Sequence, residues 1–376
     1  MVEPCPLIEI SGTPRERGRM YGRQAAGRIR KGIAHYTEQL STMDLDQRAV
    51  RDLVARFMPR IAAFDTAYAE EIAGIAEGAG LDLDGVALLN ARTEILKLGK
   101  REAEARQEAA RNPDGCTGVV VMPEAAEAGR LIHAQNWDWK VECAETAVVV
   151  RIRQDHGPDI LTFTEAGGLA RSGFNAAGIA ISANYLESDR DYRELGVPLA
   201  LIRRKALEQE HLALAMHTVY TTPKSAANNM IVSHCGGVAI DFECAPDETF
   251  QVHPERGLLV HANHFVSPVA LAKLRDTGIV NTPDSLYRDI RVRDLLVPQL
   301  GRITRETVKA ALADDFGAPW SVCRPPRKNL SNNLSATVAA VIMEPALGIM
   351  EVAPLPALNR QFTTYRLDMA VHRQAA

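Results

Sequence analysis

The sequence predicts an α+β fold in which two packed β-sheets are covered by helices. Helical periodicity fills the first hundred residues, short strand patterns dominate residues 116–262, and the remainder adds further helices and strands. Helices and strands thus occur in runs, whereas a Rossmann-type fold alternates them one by one. The phosphate-binding patterns G-x-G-x-x-G and G-x-x-x-x-G-K-[ST] do not occur in the sequence, so no nucleotide cofactor is expected.

The bulk composition is that of an ordinary soluble protein. The 376 residues are 46% hydrophobic and 24% charged, and they suffice for one large domain or two smaller ones. The net charge of −4 gives no electrostatic reason to expect nucleic acid or an anionic membrane as a partner. The opening residues MVEPCPLIEI do not resemble a secretory signal, and no apolar run approaches the ~20 residues that span a bilayer. A cytoplasmic location is expected.

The N-terminal helices have a clear beginning. Thr13 is a suitable N-cap, Pro14 fits the first turn, and Glu16 is placed to close a capping box. Gly18 and Gly22 share one helix face and predict that another element approaches closely there. Further helices are predicted over residues 24–42, 47–78 and 84–98.

The strands that follow are rich in Val, Ile, Phe and Thr and bounded by turn-forming residues. They are predicted at 130–139, 147–153, 159–165, 168–174, 178–185, 229–235, 237–244, 248–253 and 257–262. A helical segment at 198–220 interrupts them, and another helix begins near Thr282 and ends at Pro298. Residues 335–344 and 347–353 resemble a final hairpin.

One of the six cysteines has an unusual setting. None of Cys5, Cys116, Cys143, Cys235, Cys244 and Cys323 forms a C-x-x-C pair, which excludes a zinc ribbon or thioredoxin-type motif. The cysteines are expected to be reduced and mostly buried. Residues 97–114, however, are rich in charged residues, and the turn-forming cluster at 112–115 predicts that a helix tail ends there in a mobile loop that includes Gly115. Cys116 follows this loop at the start of a predicted strand.

That position allows a thiol to attack the peptide bond before it. Gly115 has no Cβ and lets the backbone distort, so the Cys116 thiol can form a thioester that water then cleaves. The freed α-amine has a reference pKa of about 7.7–8.0 and can serve as base for its own thiol. The alternative interpretation is a small buried residue at the start of a strand.

Several motifs resemble one known family. They are D-G-C-T at 114–117, A-Q-N-W-D-W at 134–139, G-T-P-R-E-R-G-R-M-Y-G at 12–22, V-H-A-N-H-F at 260–265, and T-V-A-A-V-I-M at 337–343 with V-A-P at 352–354. Taken in their order along the chain, from residue 12 to residue 354, they resemble the acyl-coenzyme A:6-aminopenicillanic acid acyltransferase family, peptidase family C45. The resemblance extends over nearly the whole chain.

The resemblance implies a four-layer αββα sandwich of the N-terminal nucleophile hydrolase type, formed as one domain. It also implies a precursor that splits into a mainly helical α chain (1–115) and a β chain (116–376) that remain associated. The implied activity is that of a cysteine amidohydrolase or acyltransferase. It acts on small N-acyl amides or acyl thioesters through an acyl-S-Cys116 intermediate and needs no cofactor.

The resemblance assigns roles to three more residues. Asp138 matches an active-site aspartate that assists autocleavage and orients the nucleophile, and Asn263 matches an asparagine whose amide donates to the oxyanion. Arg324 matches an arginine that can pair with the aspartate, although Pro325 and Pro326 after it depart from the family pattern. Their structural alternatives are a carboxylate that binds nearby backbone N–H groups, a turn asparagine and a surface arginine.

Two other residue pairs have both a functional and a structural interpretation. His261 and His264 have a spacing that suggests a metal site, but no third ligand lies nearby at a recognised spacing, so no metal is expected. Trp137 and Trp139 alternate on one predicted strand and share a face, which favours packing over substrate stacking.

Two rival functions remain open at this point. A conjugated bile acid hydrolase or penicillin V acylase would use the same chemistry, but such enzymes usually expose their cysteine after a very short leader. The helical segment of roughly a hundred residues before Cys116 opposes this alternative. The other rival is an unprocessed, non-catalytic binding protein with the same fold.

Overall fold

The computed structural model describes residues 3–43, 45–104, 115–328 and 334–369. The helices are α1 (Pro14–Ser41), α2 (Gln47–Phe64), α3 (Thr66–Ala79), α4 (Leu83–Asn90), α5 (Arg92–Glu104), α6 (Leu199–Leu207), α7 (Leu212–Thr221), α8 (Pro268–Lys273), α9 (Ser285–Leu296) and α10 (Arg305–Leu312). The strands are β1 (Leu7–Ile10), β2 (Gly115–Val121), β3 (Ile132–Lys140), β4 (Ala147–Ile152), β5 (Ile160–Glu165), β6 (Ser172–Asn175), β7 (Ile179–Tyr185), β8 (Asn228–His234), β9 (Val238–Cys244), β10 (Thr249–Val252), β11 (Leu258–His261), β12 (Arg327–Lys328), β13 (Leu334–Glu344), β14 (Ile349–Pro354) and β15 (Thr363–Arg366).

Within these described residues the strands form two sheets. The first sheet has the order β1-β4-β5-β6-β7-β8-β9-β10, and it is antiparallel except for the parallel pair of β1 and β4. The second sheet has the order β11-β2-β3-β13-β14-β15, with β12 also paired to β13. It is antiparallel throughout.

The two sheets pack face to face through strands β2, β3 and β13 on one side and β6 and β7 on the other. The His133 ring on β3 is hydrogen-bonded to Ser182 Oγ at 2.7 Å and Ser233 Oγ at 2.8 Å, both in the first sheet. Gln135 Nε2 donates to Ala183 O at 2.6 Å. The polar side chains of His133 and Gln135 are therefore satisfied by the opposite sheet, and burial lowers the pKa of His133 to about 3.

Helices cover both outer faces. Helices α6 and α7 pack on the central strands of the first sheet, and α1 lies against its edge strand β1. Helices α9 and α10 pack on the second sheet, where Val292, Leu296 and Val308 join Val119 and Ile132 in one hydrophobic cluster. The predicted four-layer αββα sandwich is confirmed.

The predicted beginning of α1 and its glycine face are also confirmed. The Thr13 backbone N–H donates to Glu16 Oε2 at 2.9 Å. A Cβ on Gly22 would lie 2.2 Å from the carbonyl oxygen of Ile75 in α3, and one on Gly18 would lie 2.2 Å from that of Glu71. The axes of α1 and α3 approach so closely that only hydrogen fits at these positions.

Other predictions need correction. The helix predicted over 47–78 breaks at Asp65, whose carboxylate accepts the Ala67 N–H at 2.9 Å and begins α3. The segment 198–220 is likewise two helices, α6 and α7. Strands β1, β12 and β15 and helices α8 and α10 were not predicted, because each of them has at most eight residues.

No helix in the described ranges combines the length and apolar character needed to cross a membrane.

We expect Gly22→Ala to lower the free energy of unfolding by about 1–3 kcal/mol, because the added methyl group overlaps the backbone of α3. The matched control is Gly27→Ala in the same helix, where an added Cβ meets nothing within 4 Å. That variant should gain about 0.5–1 kcal/mol from helix propensity. Urea unfolding measures both, and equal stability of the two variants would contradict the close approach of α1 and α3.

Candidate active site

Cys116 is the second residue of β2, and its side chain is buried between the two sheets. The ladder places Gly115 opposite Asp138 and Cys116 opposite Trp137 on β3. Opposite residues share a face, and the Trp137 ring contacts Phe163 of the first sheet with 5.8 Å between ring centroids. Cys116 therefore faces the first sheet, whereas Gly115 and Asp138 face the layer that contains α9.

The predicted loop before the cysteine is corrected in part. Residues 105–114, including Asp114, lie outside the described residues. Gly115 was expected in the loop, but it is buried and begins β2, where it belongs to the ladder with β3. The peptide that joins Gly115 to Cys116 is therefore held in a sheet.

A network of buried charges lies on the α9 side of β2. Arg324 lies between Asp138, with Nε 3.4 Å from Oδ2, and Asp284, with which it forms a close ion pair. Asp284 Oδ2 also accepts from Arg288 Nε at 2.8 Å. Asp138 Oδ1 accepts from Thr337 Oγ1 at 2.6 Å. The structure thus brings the predicted residues Asp138 and Arg324 together beside Gly115.

Both arginines and both aspartates in this network are at most 3% exposed. Burial opposes ionisation of Asp284, but Arg324 and Arg288 outweigh it and hold the pKa of Asp284 below its usual value. Burial likewise opposes the charge on Arg324, but Asp138 and Asp284 raise the pKa of Arg324 above its usual value. The network thus pairs two guanidinium groups with two carboxyl groups in the interior of the protein.

Arg288 connects this network to the backbone of the cysteine. Its Nη1 donates to Cys116 O at 2.6 Å and to Thr117 Oγ1 at 2.8 Å, and its Nη2 donates to Asn263 Oδ1 at 2.7 Å. The same Asn263 oxygen accepts the Cys116 backbone N–H at 2.7 Å. Both polar backbone atoms of Cys116 are therefore held by side chains from outside its strand.

Asn263 is itself held in place by two hydrogen bonds. Its Nδ2 donates to Tyr185 O at 2.8 Å, and its backbone N–H donates to Ser285 Oγ at 2.6 Å. These bonds fix the amide plane with Oδ1 toward the nitrogen of Cys116. The structure therefore places Asn263 at Cys116, and its role as an oxyanion donor stays a prediction.

The neighbouring histidines are engaged in protein contacts. His261 Nε2 is 2.8 Å from Glu243 Oε1, and His264 Nδ1 is 2.8 Å from Ser285 Oγ. Burial would lower the pKa of His261, but Asp241 and Glu243 raise it to about 9. His261 is thus a cation paired with carboxylates at neutral pH. Within the described ranges, no three His, Cys, Asp or Glu side chains are grouped so as to hold a metal ion.

The sulfur of Cys116 lies beside Arg171 on the inner face of the sheet. Arg171 Nη2 is 3.7 Å from Cys116 Sγ, and its guanidinium lies 4.1 Å from the centroid of the Trp137 ring. A cation at this distance favours the thiolate, which is the nucleophilic form of cysteine. The Trp139 ring is similarly covered by Arg92 at 5.0 Å. The two tryptophans therefore pack in the core and also support arginines.

Sequence reasoning missed Arg171, Arg288, Asp284 and Thr337. Asp284 and Arg288 have the i,i+4 spacing of an ordinary exposed helical salt bridge, so their spacing gave no indication of burial. Arg171 lies within the strand predicted over 168–174 and matches none of the motifs. These residues were missed because their contacts with Cys116, Asp138 and Arg324 join parts of the chain that are far apart in sequence.

The fold and this site define a class of protein: an enzyme of acyl transfer or amide hydrolysis on an αββα sandwich. The chain belongs to the acyl-coenzyme A:6-aminopenicillanic acid acyl-transferase family, whose model matches residues 125–353. It is 31% identical over 330 residues to the acyl-coenzyme A:6-aminopenicillanic-acid-acyltransferase 40 kDa form of Emericella nidulans, and the alignment covers 84% of each chain.

Several solved structures resemble the chain at low sequence identity. A variant of conjugated bile acid hydrolase from Clostridium perfringens has a TM-score of 0.48 at 13% identity, covering 67% of this chain and 92% of that one. The Caenorhabditis elegans orthologue of N-acylethanolamine-hydrolyzing acid amidase has a TM-score of 0.46 at 17% identity, covering 67% and 100%. Penicillin V acylase from Agrobacterium tumefaciens has a TM-score of 0.45 at 14% identity, covering 68% and 86%.

We expect Arg288→Met to lower the free energy of unfolding by about 3–5 kcal/mol, because it leaves buried acceptors and Asp284 without this cation. Arg291→Met, on the same helix, is the control. Arg291 pairs with Asp314 while 30% exposed, so its loss should cost less than about 1 kcal/mol. Urea unfolding of both variants in a Cys116→Ala background, where every chain is expected to stay whole, tests this. Equal losses would contradict a structural role for the buried network.

Proposed function

We propose that this protein is a self-processing cysteine amidohydrolase or acyltransferase. It cleaves the bond between Gly115 and Cys116 and then uses Cys116 on small N-acyl amides or acyl thioesters. The observation that supports this most directly is the position of the Cys116 backbone nitrogen, 2.7 Å from Asn263 Oδ1, while its sulfur lies beside Arg171. A relative with acyltransferase activity in its name, 31% identical over most of both chains, supports the same chemistry.

The residue before the cysteine has two reasons to be glycine. It permits the backbone distortion that attack requires, and it fits where a larger residue would not. A Cβ on Gly115 would lie 2.2 Å from Arg324 Nη1 and 2.8 Å from Asp138 Oδ2. We therefore assign Asp138 and Arg324 to the cleavage step, in which they hold Gly115 and supply fixed charges beside the reacting peptide.

In the cleavage step the thiolate attacks the carbonyl carbon of Gly115 and forms a tetrahedral oxyanion. Collapse breaks the carbon–nitrogen bond, and the nitrogen of Cys116 takes up a proton to become an amine. Gly115 is then a thioester on the sulfur. Water hydrolyses this thioester, which leaves a carboxylate at Gly115 and a free thiol on Cys116.

After cleavage the α-amine of Cys116 would serve as the base for its thiol. Asn263 Oδ1 already contacts this nitrogen, and it can accept a hydrogen from the new amine and direct the lone pair toward the sulfur. The thiolate attacks the substrate carbonyl, and the amine returns the proton to the leaving nitrogen. Water or an amine acceptor resolves the acyl enzyme. The second hydrogen of Asn263 Nδ2 is our candidate oxyanion donor.

The two products of cleavage should remain one domain. Strand β1, from the segment 1–115, pairs with β4 from the segment 116–376 in the first sheet. Arg92 and Glu165 form a buried ion pair across the same division. The largest hydrophobic cluster combines Ile29 and Phe57 of the helical segment with Phe163 of the sheet. Separating the chains would expose this core, so we assign 1–115 as a mainly helical α chain and 116–376 as its associated β chain.

We expect wild-type protein to give two fragments on a denaturing gel, 1–115 and 116–376, and Cys116→Ala to give one band near 41.1 kDa. Alanine lacks the sulfur that attacks Gly115. Cys235→Ala is the matched control, because Cys235 lies in a half-buried turn and should leave cleavage intact. Intact-mass analysis locates the cut. A whole wild-type chain, or a Cys116→Ala chain cut at the same bond, would refute self-processing by Cys116.

We expect Asn263→Ala to lower kcat for an N-acyl amide by about 10²–10³, the usual effect of losing an oxyanion donor. Asn263→Asp keeps an acceptor for the Cys116 nitrogen but loses the donor, so it should be impaired to a similar degree. Single-turnover assays on the processed fraction separate this loss from slower cleavage. Rates within threefold of wild type would show that Asn263 does not hold the oxyanion.

A further inference from the structure

Asn263 lies in a segment that belongs to no helix or strand. Residues 262–267 connect the end of β11 to the beginning of α8. Side chains from other parts of the chain accept hydrogen bonds from the backbone of this segment. Ser285 Oγ accepts the Asn263 N–H at 2.6 Å. Asp276 Oδ2 accepts the Phe265 N–H at 2.8 Å. The position of Asn263 therefore depends on the side chains that hold the segment.

Glu243 on β9 binds this segment at both of its ends. Its Oε1 is 2.8 Å from His261 Nε2, where β11 ends. The same oxygen accepts the Val266 N–H at 2.6 Å, and Oε2 accepts the Ser267 N–H at 3.1 Å. One carboxylate from the first sheet thus closes the segment that follows β11 of the second sheet into a loop, and Asn263 lies inside that loop.

A carboxylate suits these three donors, whereas an amide does not. Both ring nitrogens of His261 face acceptors, since Nδ1 is 3.0 Å from Ala262 O and Nε2 faces Glu243. Asp241 Oδ2 is farther from Nε2, at 3.8 Å, so Glu243 is its hydrogen-bonding partner. Three N–H groups therefore point at the two oxygens of Glu243. Glutamine offers one acceptor oxygen, and its NH2 group would face an N–H donor.

We propose that Glu243 is a positioning residue, which sets the place of the Asn263 amide by holding both ends of the loop. The proposal rests on the role proposed above for Asn263 as oxyanion donor. Glu243 and His261 are both 0% exposed, and apolar residues usually stabilise a core as well as a buried ion pair does. Directed hydrogen bonds are what this pair adds. An oxyanion donor needs them, because a displacement of about 1 Å can lower a rate about 10²-fold.

Glu243→Gln keeps the size of the side chain and removes one acceptor oxygen and the charge. We expect kcat for an N-acyl amide to fall about 10- to 100-fold. KM should change less than about threefold, because the oxyanion forms only as the reaction proceeds. Glu243→Asp keeps both oxygens on a shorter side chain, so its kcat should fall only about 3- to 10-fold.

The matched control is the same substitution at another buried, ion-paired glutamate, Glu71→Gln. Glu71 on α3 is 1% exposed and pairs with Arg17 of α1 and Arg204 of α6. Its loss should destabilise the fold and leave kcat of the folded protein within about threefold of wild type. Urea unfolding of both variants shows how much stability each has lost. A wild-type kcat in folded Glu243→Gln would refute the proposal.

A double-variant cycle distinguishes positioning from a general loss of structure. If Glu243 acts through Asn263, Glu243→Gln should lower the single-turnover rate of processed Asn263→Ala protein by less than about twofold. A variant that only loosens the fold lowers the rate equally in both backgrounds. A larger further loss would therefore refute the proposal. If Glu243→Gln does not fold, Glu243→Asp replaces it in the cycle, and a wild-type kcat in Glu243→Asp would then refute the proposal.

The side-chain amide of Asn263 reports its position without any turnover. In isotope-labelled Cys116→Ala protein, the NMR signals of its Nδ2 hydrogens are identified by their absence after Asn263→Ala substitution. They should shift in Glu243→Gln and stay in place in Glu71→Gln. Unchanged signals in Glu243→Gln would refute the positioning role. An unimpaired Asn263→Ala enzyme would instead refute the proposed oxyanion donor, and the amide signals would still decide whether Glu243 positions Asn263.

Discussion

The structure around the cysteine depends on the pairing of β2 with β3. Because side chains alternate along a strand, this one ladder directs Gly115 toward the charged network and Cys116 toward the first sheet. Strand β2 thus separates the charged side chains from the cysteine sulfur. One face holds the fixed charges of Asp138 and Arg324, and the other holds the sulfur beside Arg171. A shift of one residue in the register would exchange the two faces.

Burying four charged side chains costs free energy of desolvation, and this cost suggests that the network has a role beyond stability. Well-packed apolar residues usually stabilise a core as well as a buried ion pair does. A network of Asp138, Arg324, Asp284 and Arg288 instead fixes directions, since each guanidinium has hydrogen-bonding partners in a set geometry. Arg288 transmits that geometry to the carbonyl oxygen of Cys116 and to Asn263. Supporting contacts of this kind keep reacting groups in position.

The features that could be predicted from the sequence are those that depend on local patterns and motifs. Alternation and turn residues located most strands, and the motif match led to Cys116, Asp138 and Asn263, which the structure places within one site. Contacts between segments that are far apart in sequence could not be predicted in this way. Arg288 contacts the Cys116 oxygen at a sequence separation of 172 residues, and Arg171 contacts the sulfur at a separation of 55. Sequence alone also explained Gly115 by flexibility, whereas the structure adds a lack of space for any Cβ.

The contacts of the Cys116 nitrogen exist while Gly115 and Cys116 are still joined. In the proposed mechanism this nitrogen changes from a peptide to an amine, yet its partner Asn263 Oδ1 can accept a hydrogen from either form. Arg288 holds the Cys116 carbonyl oxygen on the other side of the same residue, and cleavage does not alter that bond. In the proposed mechanism, the uncut chain therefore already has the contacts that the cleaved form would use. Cleavage would expose a reactive terminus with little reorganisation around it, which is the condition under which fixed dipoles act most strongly on a reaction.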